Sequence, residues 1–319
     1  MAKKFVNVCA SFCLILFMGS CYKQEPQEVS LKPQVVSTTA MIAELVESIA
    51  QDKIVSQVLI KGDIDPHSYE LVKGDQLKLK KADLIFYQGL GLEHGASLSA
   101  YLRSQSKAVC LGDFLKRSCP ESLIEQDGYL DPHVWLDLDL WKQLIPFVSQ
   151  KLIELVPDEQ LFFEANAQRL TETMTSLDRA MLEMIQALPE KRRYLVTSHS
   201  AFRYFTRRYI AYESDWVDRC IAPEGLAPEA QISLYDIEKV VCYIRDHQVS
   251  VVFSESNVSK EALKKVIHVC HKSGLDVKLD PQPLFGDALF DGKRYLDMMW
   301  HNATLLHKAW HEQATPSQD

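Results

Sequence analysis

Three histidines stand in three similar settings: His67 in Asp65-Pro66-His67-Ser68-Tyr69-Glu70, His133 in Asp131-Pro132-His133-Val134-Trp135, and His199 in Thr197-Ser198-His199-Ser200-Ala201-Phe202. Each follows or closes an apolar, strand-like run, and two share the tripeptide Asp-Pro-His. A proline there stops a strand, and a short loop then presents the next side chain at the sheet edge. Neutral imidazole is the commonest protein ligand for a transition metal. Three imidazoles on separate strand ends make a preassembled metal site.

The elements that must position them alternate in type. Strand-like runs at Val35–Thr39, Val55–Ile60 and Leu84–Tyr87 are separated by helical stretches at Ala40–Ala50 and Gly74–Lys81, and Leu138–Leu155 reads as a further helix. The second half repeats the rhythm, with strands at Tyr194–Thr197, Val249–Phe253 and Asp276–Leu279 and helices at Phe202–Ile210, Ile232–Asp246, Lys260–Ser273 and Tyr295–Trp310. This β-α-β alternation predicts parallel sheets with helices on both faces. Between the halves, Phe163, Ala167, Leu170, Met174, Leu177, Met181, Met184 and Leu188 recur at alternating steps of four and three, one apolar stripe along a single helix. Asp158 suits its N-cap and Pro189 its end, and about thirty residues at roughly 1.5 Å each give about 45 Å. A dimeric coiled coil is the rival reading, but α/β patterning flanks the stripe closely on both sides.

The fold class expected is therefore α/β: two parallel-sheet α/β domains joined by one long rigid backbone helix, with the metal site in the interdomain cleft, where open α/β sheets bind ligands. The boundaries expected are residues 1–20 as an export signal, 21–33 as a tether, 34–157 as the first domain, 158–189 as the linking helix, 190–312 as the second domain and 313–319 as a tail. A helix packed along its length resists bending, so any relative motion of the two domains reads as modest tilting with local loop movement near the second domain's candidate ligands, His199 and Asp287.

The composition fits this reading. The chain has 319 residues, 47% hydrophobic and 24% charged, and a net charge of −8, which argues against nucleic acid as a partner. Its one basic knot, Arg203, Arg207 and Arg208, reads as a solvated helix face. Lys3 and Lys4 precede an apolar run from Phe5 to Gly19, too short to span a bilayer and patterned as an export signal. It ends Leu16-Phe17-Met18-Gly19-Ser20-Cys21, which resembles a bacterial lipoprotein cleavage box with Cys21 as the lipidated new N-terminus; Met18 departs from the usual aliphatic there. Five later cysteines, Cys110, Cys119, Cys220, Cys242 and Cys270, include no C-x-x-C and cannot all pair within one chain. Cys242, in an apolar helical pattern, reads as a buried small hydrophobe.

The fourth ligand should be a carboxylate from the second half. Asp287, in a loop with Gly286 after the last strand and flanked by Leu284, Phe285, Ala288 and Leu289, is favoured over Glu255 at the end of another strand. Three imidazoles and a carboxylate suit Zn²⁺ or another first-row divalent ion better than Ca²⁺ or Mg²⁺. His94 reads as a residue of the cleft rim, and His247, His268, His271, His301, His307 and His311 as solvent-facing helix residues. A secreted zinc metallohydrolase with Glu70 or Glu255 as base, and a lipoprotein adhesin with a structural metal, are the alternatives. The first expects three ligands and an open water position.

The three histidine segments, Gly89-Leu90-Gly91-Leu92-Glu93, and Pro223-Glu224-Gly225-Leu226-Ala227-Pro228-Glu229-Ala230-Gln231-Ile232, in this order and spacing, resemble the metal-specific solute-binding proteins of ABC importers, the TroA/ZnuA-like family. The resemblance covers about Val35 to Trp310. It implies a protein that is not an enzyme, exported to the periplasm or cell surface, lipid-anchored to a membrane. It implies capture of one divalent ion as transported ligand and its delivery to a membrane permease, the chain acting as a monomer. The family's ligand positions fall on His67, His133, His199 and Asp287. Members with Glu at the third position resemble manganese binders, whereas His is found there in zinc binders and in members of mixed preference. The segment Phe114–Leu130 lacks the His-rich loop of many zinc-specific members. The ion therefore stays open among zinc, manganese and iron.

Overall fold

Short β-branched and aromatic runs form the strands, and the computed structural model describes residues 32–211, 215–228, 232–289 and 292–312. The leader, Cys21 and all but the end of the tether lie outside the described residues, as does the tail. In the first lobe, β1 (Gln34–Ser37) lies between β2 (Val55–Val58) and β3 (Leu84–Tyr87), and β4 (Ala108–Cys110) flanks β3. All three pairings are parallel, in the order β2-β1-β3-β4. Helix Ala40–Ala50 starts where the Thr39 hydroxyl accepts the Ile42 amide.

An antiparallel hairpin of β5 (Glu125–Gln126) and β6 (Tyr129–Leu130) precedes His133. Sequence reasoning did not include it, although its turn, Asp127-Gly128, has positive φ at both residues, the backbone that Asp-Gly favours in two-residue hairpins. The helix expected over Leu138–Leu155 is broken into Leu138–Trp141, a 3₁₀ turn at Lys142–Leu144 and Ile145–Leu155. Pro146 has no amide to donate one turn back. Phe202–Ile210 likewise divides into a short α turn, Arg203–Phe205, and a π turn, Thr206–Ile210.

The second lobe repeats the first. β7 (Leu195–Val196) pairs in parallel with β8 (Cys220–Ile221), and β9 (Val251–Val252) with β10 (Lys278–Leu279). The Phe253 amide donates to the Val196 carbonyl at 2.9 Å, which sets the pairs side by side in the order β8-β7-β9-β10. In both lobes the second strand flanks the first and the third lies on its other side. A topological switch point, the crevice where open α/β sheets hold ligands, therefore opens in each lobe.

The linking helix is Gln160–Gln186, 27 residues, about 40 Å long at 1.5 Å per residue. It starts later than expected: Asp158 lies in a separate 3₁₀ turn, Pro157–Glu159, and Glu159 is the N-cap, without a side-chain cap bond. Phe163, Ala167, Leu170, Met174 and Met181 are buried as expected, but Leu177 and Met184 are only partly buried, and Asp178 and Ile185 take the inner positions. Steps of four and three average 3.5 residues, whereas a straight helix turns every 3.6, so the inner face drifts by one residue over this length. Buried polar groups fix it at both ends. Asn166 donates to the Ile49 carbonyl at 2.8 Å. Asp178 accepts from Arg208 Nε at 3.0 Å and from the Tyr209 hydroxyl at 2.9 Å.

The basic knot is thus structural. Arg208 pairs with Asp178, Arg207 donates to the Ser122 carbonyl, and Arg203 lies over the Trp216 ring. The helix does more than bridge two lobes. One apolar core runs from Leu45 and Trp141, through Phe163 and Met181, to Phe202, Phe205 and Trp310, while smaller cores sit under each sheet. Helix Tyr295–Glu312 packs on the long helix and on Ala40–Ala50.

All five cysteines of the described residues are free thiols. Cys242 is exposed, contrary to its apolar pattern, and Cys270 is the buried one. His268 and His311 are exposed as expected; His271 is exposed but its Nε2 bonds the Val277 carbonyl at 2.9 Å, His307 is half-buried, His247 stacks on Tyr194 at 4.0 Å and His301 bonds the Pro283 carbonyl. Met181 is fully buried in the shared core. Met181→Ala should cost about 2–5 kcal/mol, read as a lower denaturation midpoint at unchanged slope; a loss under about 0.5 kcal/mol, the level of an ordinary surface substitution, would mean the stripe is not packed.

Candidate metal centre

The two Asp-Pro-His tripeptides do the same local work. Asp65 Oδ1 accepts the His67 amide at 2.9 Å, and Asp131 Oδ1 accepts the His133 amide at 2.9 Å, a side-chain turn that fixes the histidine backbone. Asp131 does more, since His133 Nδ1 donates to its Oδ1 at 2.7 Å. His199 follows β7 at the second lobe's switch point, opposite Glu255, which follows β9. Glu255 Oε1 accepts the His199 amide at 2.9 Å, and its Oε2 lies 2.8 Å from His199 Nδ1. That second contact is an ion-pair approach without hydrogen-bond alignment; a carboxylate beside Nδ1 favours a proton on that nitrogen and leaves Nε2 toward Asp287.

Asp287 comes from a clamped loop. Asn302 accepts the Phe285 amide at 3.0 Å and donates to the Phe285 carbonyl at 2.8 Å. Trp135 Nε1, two residues beyond His133, donates to the Gly286 carbonyl at 2.7 Å, so the loops of His133 and Asp287 are joined directly. A Cβ at Gly286 would stand 2.5 Å from Glu255 Oε2; only glycine lets the loop pass this close.

The four side chains converge on one point. His133 Nε2 lies 3.2 Å from His67 Nε2 and 3.4 Å from His199 Nε2. Asp287 Oδ1 is 3.3 Å from His133 Nε2, and its Oδ2 is 3.2 Å from His199 Nε2 and 3.7 Å from His67 Nε2. A tetrahedral ion with bonds of about 2.0–2.1 Å would space its ligand atoms by about 3.3–3.4 Å, close to these values. Both Asp287 oxygens face the imidazoles, so one or both can bind, which accommodates ions that take a fifth bond. His133 and His199 are fully buried, and His67 and Asp287 are 2% and 5% exposed.

The electrostatics call for a cation. Neither Asp287 oxygen meets a well-aligned hydrogen-bond donor, and an unpaired buried carboxylate is costly. Burial would raise the Asp287 pKa, but His199, His133 and His67 around it hold the carboxyl well below the usual range. Burial pushes His67 well below its ordinary value. At His199 burial acts in the same direction but is outweighed by Glu255 and Asp287, which lift it well above.

All four favoured residues are therefore brought together. Glu255, the competitor, lies behind His199 on its Nδ1 side. Glu70, offered as a base, accepts the Ala96 and Ser97 amides at 2.7 and 2.8 Å and caps helix Ala96–Ser104. His94 is exposed at the rim. Sequence reasoning missed the roles of Asp131, Trp135 and Asn302. An acid two residues before a candidate ligand was the one available signal; Asn302, inside a helix, gave none.

Fold and site define a metal-binding protein of two α/β lobes on one backbone helix. The chain belongs to the family described as zinc-uptake complex component A, periplasmic, whose model matches residues 35–309. It is 41% identical to the metal-binding protein YtgA of Chlamydia pneumoniae over 93% of this chain and 91% of that one. It is 31% identical to the zinc-binding protein TroA of Treponema pallidum over 85% and 86%. The crystal structure of Fe(III)-bound YtgA from Chlamydia trachomatis superposes with a TM-score of 0.83 at 40% identity, covering 87% of this chain and 98% of that one.

Protons compete with the ion for imidazole. Because, against the effect of burial, Glu255 and Asp287 raise His199 above its ordinary value, competition between proton and ion should be strongest at that ring. Affinity should therefore decline as pH falls and begin to do so above the ordinary imidazole value of about 6.5. Titration calorimetry at pH 7 in buffers of different ionisation heat should show about one proton released per ion; no release would refute this assignment.

Proposed function

We propose that the protein captures one first-row transition-metal ion outside the cytoplasmic membrane and delivers it to an ABC-type permease, with His67, His133, His199 and Asp287 as the ligands. The observation that carries the reading is the buried Asp287 carboxylate, without an aligned donor and facing three imidazole Nε2 atoms at 3.2–3.7 Å. The relatives named for metal binding, zinc binding and Fe(III) support it. Zinc, manganese and iron all suit the donor set. A buried site of four protein side chains fits holding and handing over better than catalysis, which keeps a position open for water. Neither carboxylate considered as a base is placed to serve as one.

The chain acts as an exported monomer, lipidated at Cys21 and held to the membrane by a tether that ends near Pro33. The domain limits read from the sequence, 34–157 and 190–312 about a linking helix, belong to the same proposal.

Protein purified without chelator should carry one first-row ion per chain by elemental analysis, and saturating ion at a hundredfold excess over Kd should add about 2.7 kcal/mol of stability. Asp287→Ala should abolish high-affinity binding, whereas Glu255→Gln, behind the ligand, should weaken it by about 10–100-fold. Unchanged affinity in Asp287→Ala would show that the ligand set is wrong. Separately, Cys21→Ala should leave the exported protein unprocessed or soluble on fractionation; a wild-type mature terminus elsewhere, free of lipid by mass spectrometry, would refute the anchor.

A further inference from the structure

We propose that Tyr204 of the second lobe is a positioning residue for His133 of the first: its hydroxyl completes the hairpin that leads to Asp131, and through Asp131 it sets the orientation of the His133 ring. This role presupposes that His133 is a metal ligand.

The tyrosine enters at the base of the hairpin. Gln126 pairs with Tyr129 and Glu125 with Leu130, so Ile124 and Asp131 are the next residues to face each other. In an antiparallel ladder every second pair exchanges two hydrogen bonds. Ile124 and Asp131 make one of the two directly, from the Asp131 amide to the Ile124 carbonyl at 2.9 Å. The other runs through the Tyr204 hydroxyl, which accepts the Ile124 amide at 2.9 Å and donates to the Asp131 carbonyl at 3.2 Å. A side chain of one lobe thus stands within the backbone ladder of the other. Ile124, Asp131 and Tyr204 are all buried, so loss of the hydroxyl leaves an amide and a carbonyl to find new partners. Burial also pushes the Tyr204 phenol above its ordinary range, which keeps it a donor at neutral pH.

Asp131 passes this placement to the ligand. Its Oδ1 accepts both the His133 amide at 2.9 Å and His133 Nδ1 at 2.7 Å. A shift of Asp131 therefore moves the ligand's backbone and the ring nitrogen opposite Nε2 together. Groups that hold the far nitrogen of a ligating imidazole change affinity without touching the ion.

The same stretch of the second lobe fastens the hairpin twice more. Ser200, next to His199, donates to Gln126 Oε1 at 2.9 Å, and Arg207 donates to the Ser122 carbonyl at 2.8 Å. Residues 199–207 thus carry one ligand and hold the strand that leads to another. The orientation of His133 depends on the lobes staying together, and the ion and the lobe contact reinforce each other.

Tyr209 is a matched control. It is fully buried a few residues further along, and its hydroxyl accepts the Leu138 amide at 3.3 Å and donates to Asp178 at 2.9 Å. Those partners hold the long helix and the start of helix Leu138–Trp141, not the His133 ring.

The test is Co²⁺ binding to the full chain, with affinity read by chelator competition and coordination geometry by visible absorption. Tyr204→Phe should weaken binding about tenfold and shift or weaken the Co²⁺ bands. Tyr209→Phe should lower the thermal midpoint but leave affinity and bands unchanged. In an Asp131→Ala background, Tyr204→Phe should add less than about threefold, because the route through Asp131 is already cut. Unchanged affinity and bands in Tyr204→Phe, equal effects of the two phenylalanine variants, or the full loss repeated in the Asp131→Ala background would each overturn the proposal. Should Tyr204→Phe fail to fold, Gln126→Ala decides: loss of that fastening should weaken binding about threefold, and unchanged affinity would overturn the proposal. If the unmodified protein does not bind Co²⁺, or binds it equally well as Asp287→Ala, the reading of the ligands falls instead.

Discussion

A carboxylate without an aligned donor cannot stay among buried imidazoles without a positive charge, and the structure is organised around that constraint. Asp287 is 5% exposed and is held low by the three histidines that face it. That charge can come from a proton or from a metal ion, and because, against the effect of burial, Glu255 and Asp287 raise His199, its ring is where the two would compete most strongly on the proposed reading.

Holding that geometry needs both lobes. His67 and His133 come from the first, His199 and Asp287 from the second, and the lobes repeat the same strand order. The second lobe's switch point holds His199 and Glu255. In the first lobe the matching place holds Thr38 and Glu93, bonded at 2.6 Å, which fixes the loop carrying His94. Beside the site the lobes are crossed by Trp135 to Gly286, the Tyr295 hydroxyl to the Trp135 carbonyl, and the Tyr204 hydroxyl to the Asp131 carbonyl at 3.2 Å; in further crossings, Arg207 donates to the Ser122 carbonyl and Ser200 to Gln126. The three beside the site bond backbone and leave the converging side-chain atoms of the four residues facing one another.

Much of this was legible in the sequence because the informative residues act locally. The repeated Asp-Pro-His marked His67 and His133 through the strand-ending proline, although that each acid binds its histidine amide emerged only from the structure. The β-α-β rhythm gave both sheets, and the apolar stripe gave the long helix, though a 3.5-residue pattern could not reveal that the inner face moves from Leu177 to Asp178. What stayed hidden depends on distant pairing. The arginine knot looked solvated because its partners, Asp178 and the Ser122 carbonyl, lie 30 and 85 residues away. Cys242 and Cys270 sit in similar helical patterns, and only packing sorts exposed from buried. Asp287 against Glu255 was a choice between two acids at two strand ends. The structure separates them by which face of His199 each meets, Nε2 or Nδ1.

The shared core also bears on how an ion leaves. Separating the lobes would uncover apolar surface where the Arg203–Phe205 turn packs on the Val134–Leu136 turn, around the buried Phe202, Phe205 and Trp135, at about 25 cal/mol per Å² of apolar surface. A wide hinge opening is therefore the costly route. The sequence suggested that the loops of His199 and Asp287 move first, but Asn302 and Trp135 clamp the Asp287 loop from two sides. His199 is fixed at its amide by Glu255. The segment with solvent on one side is that of His67, where Lys61 to Ile64 and Val72 to Gly74 are exposed. His67 itself is buried, but its segment borders solvent on one side, so on the proposed reading its displacement would leave His133, His199 and Asp287 in place without parting the lobes.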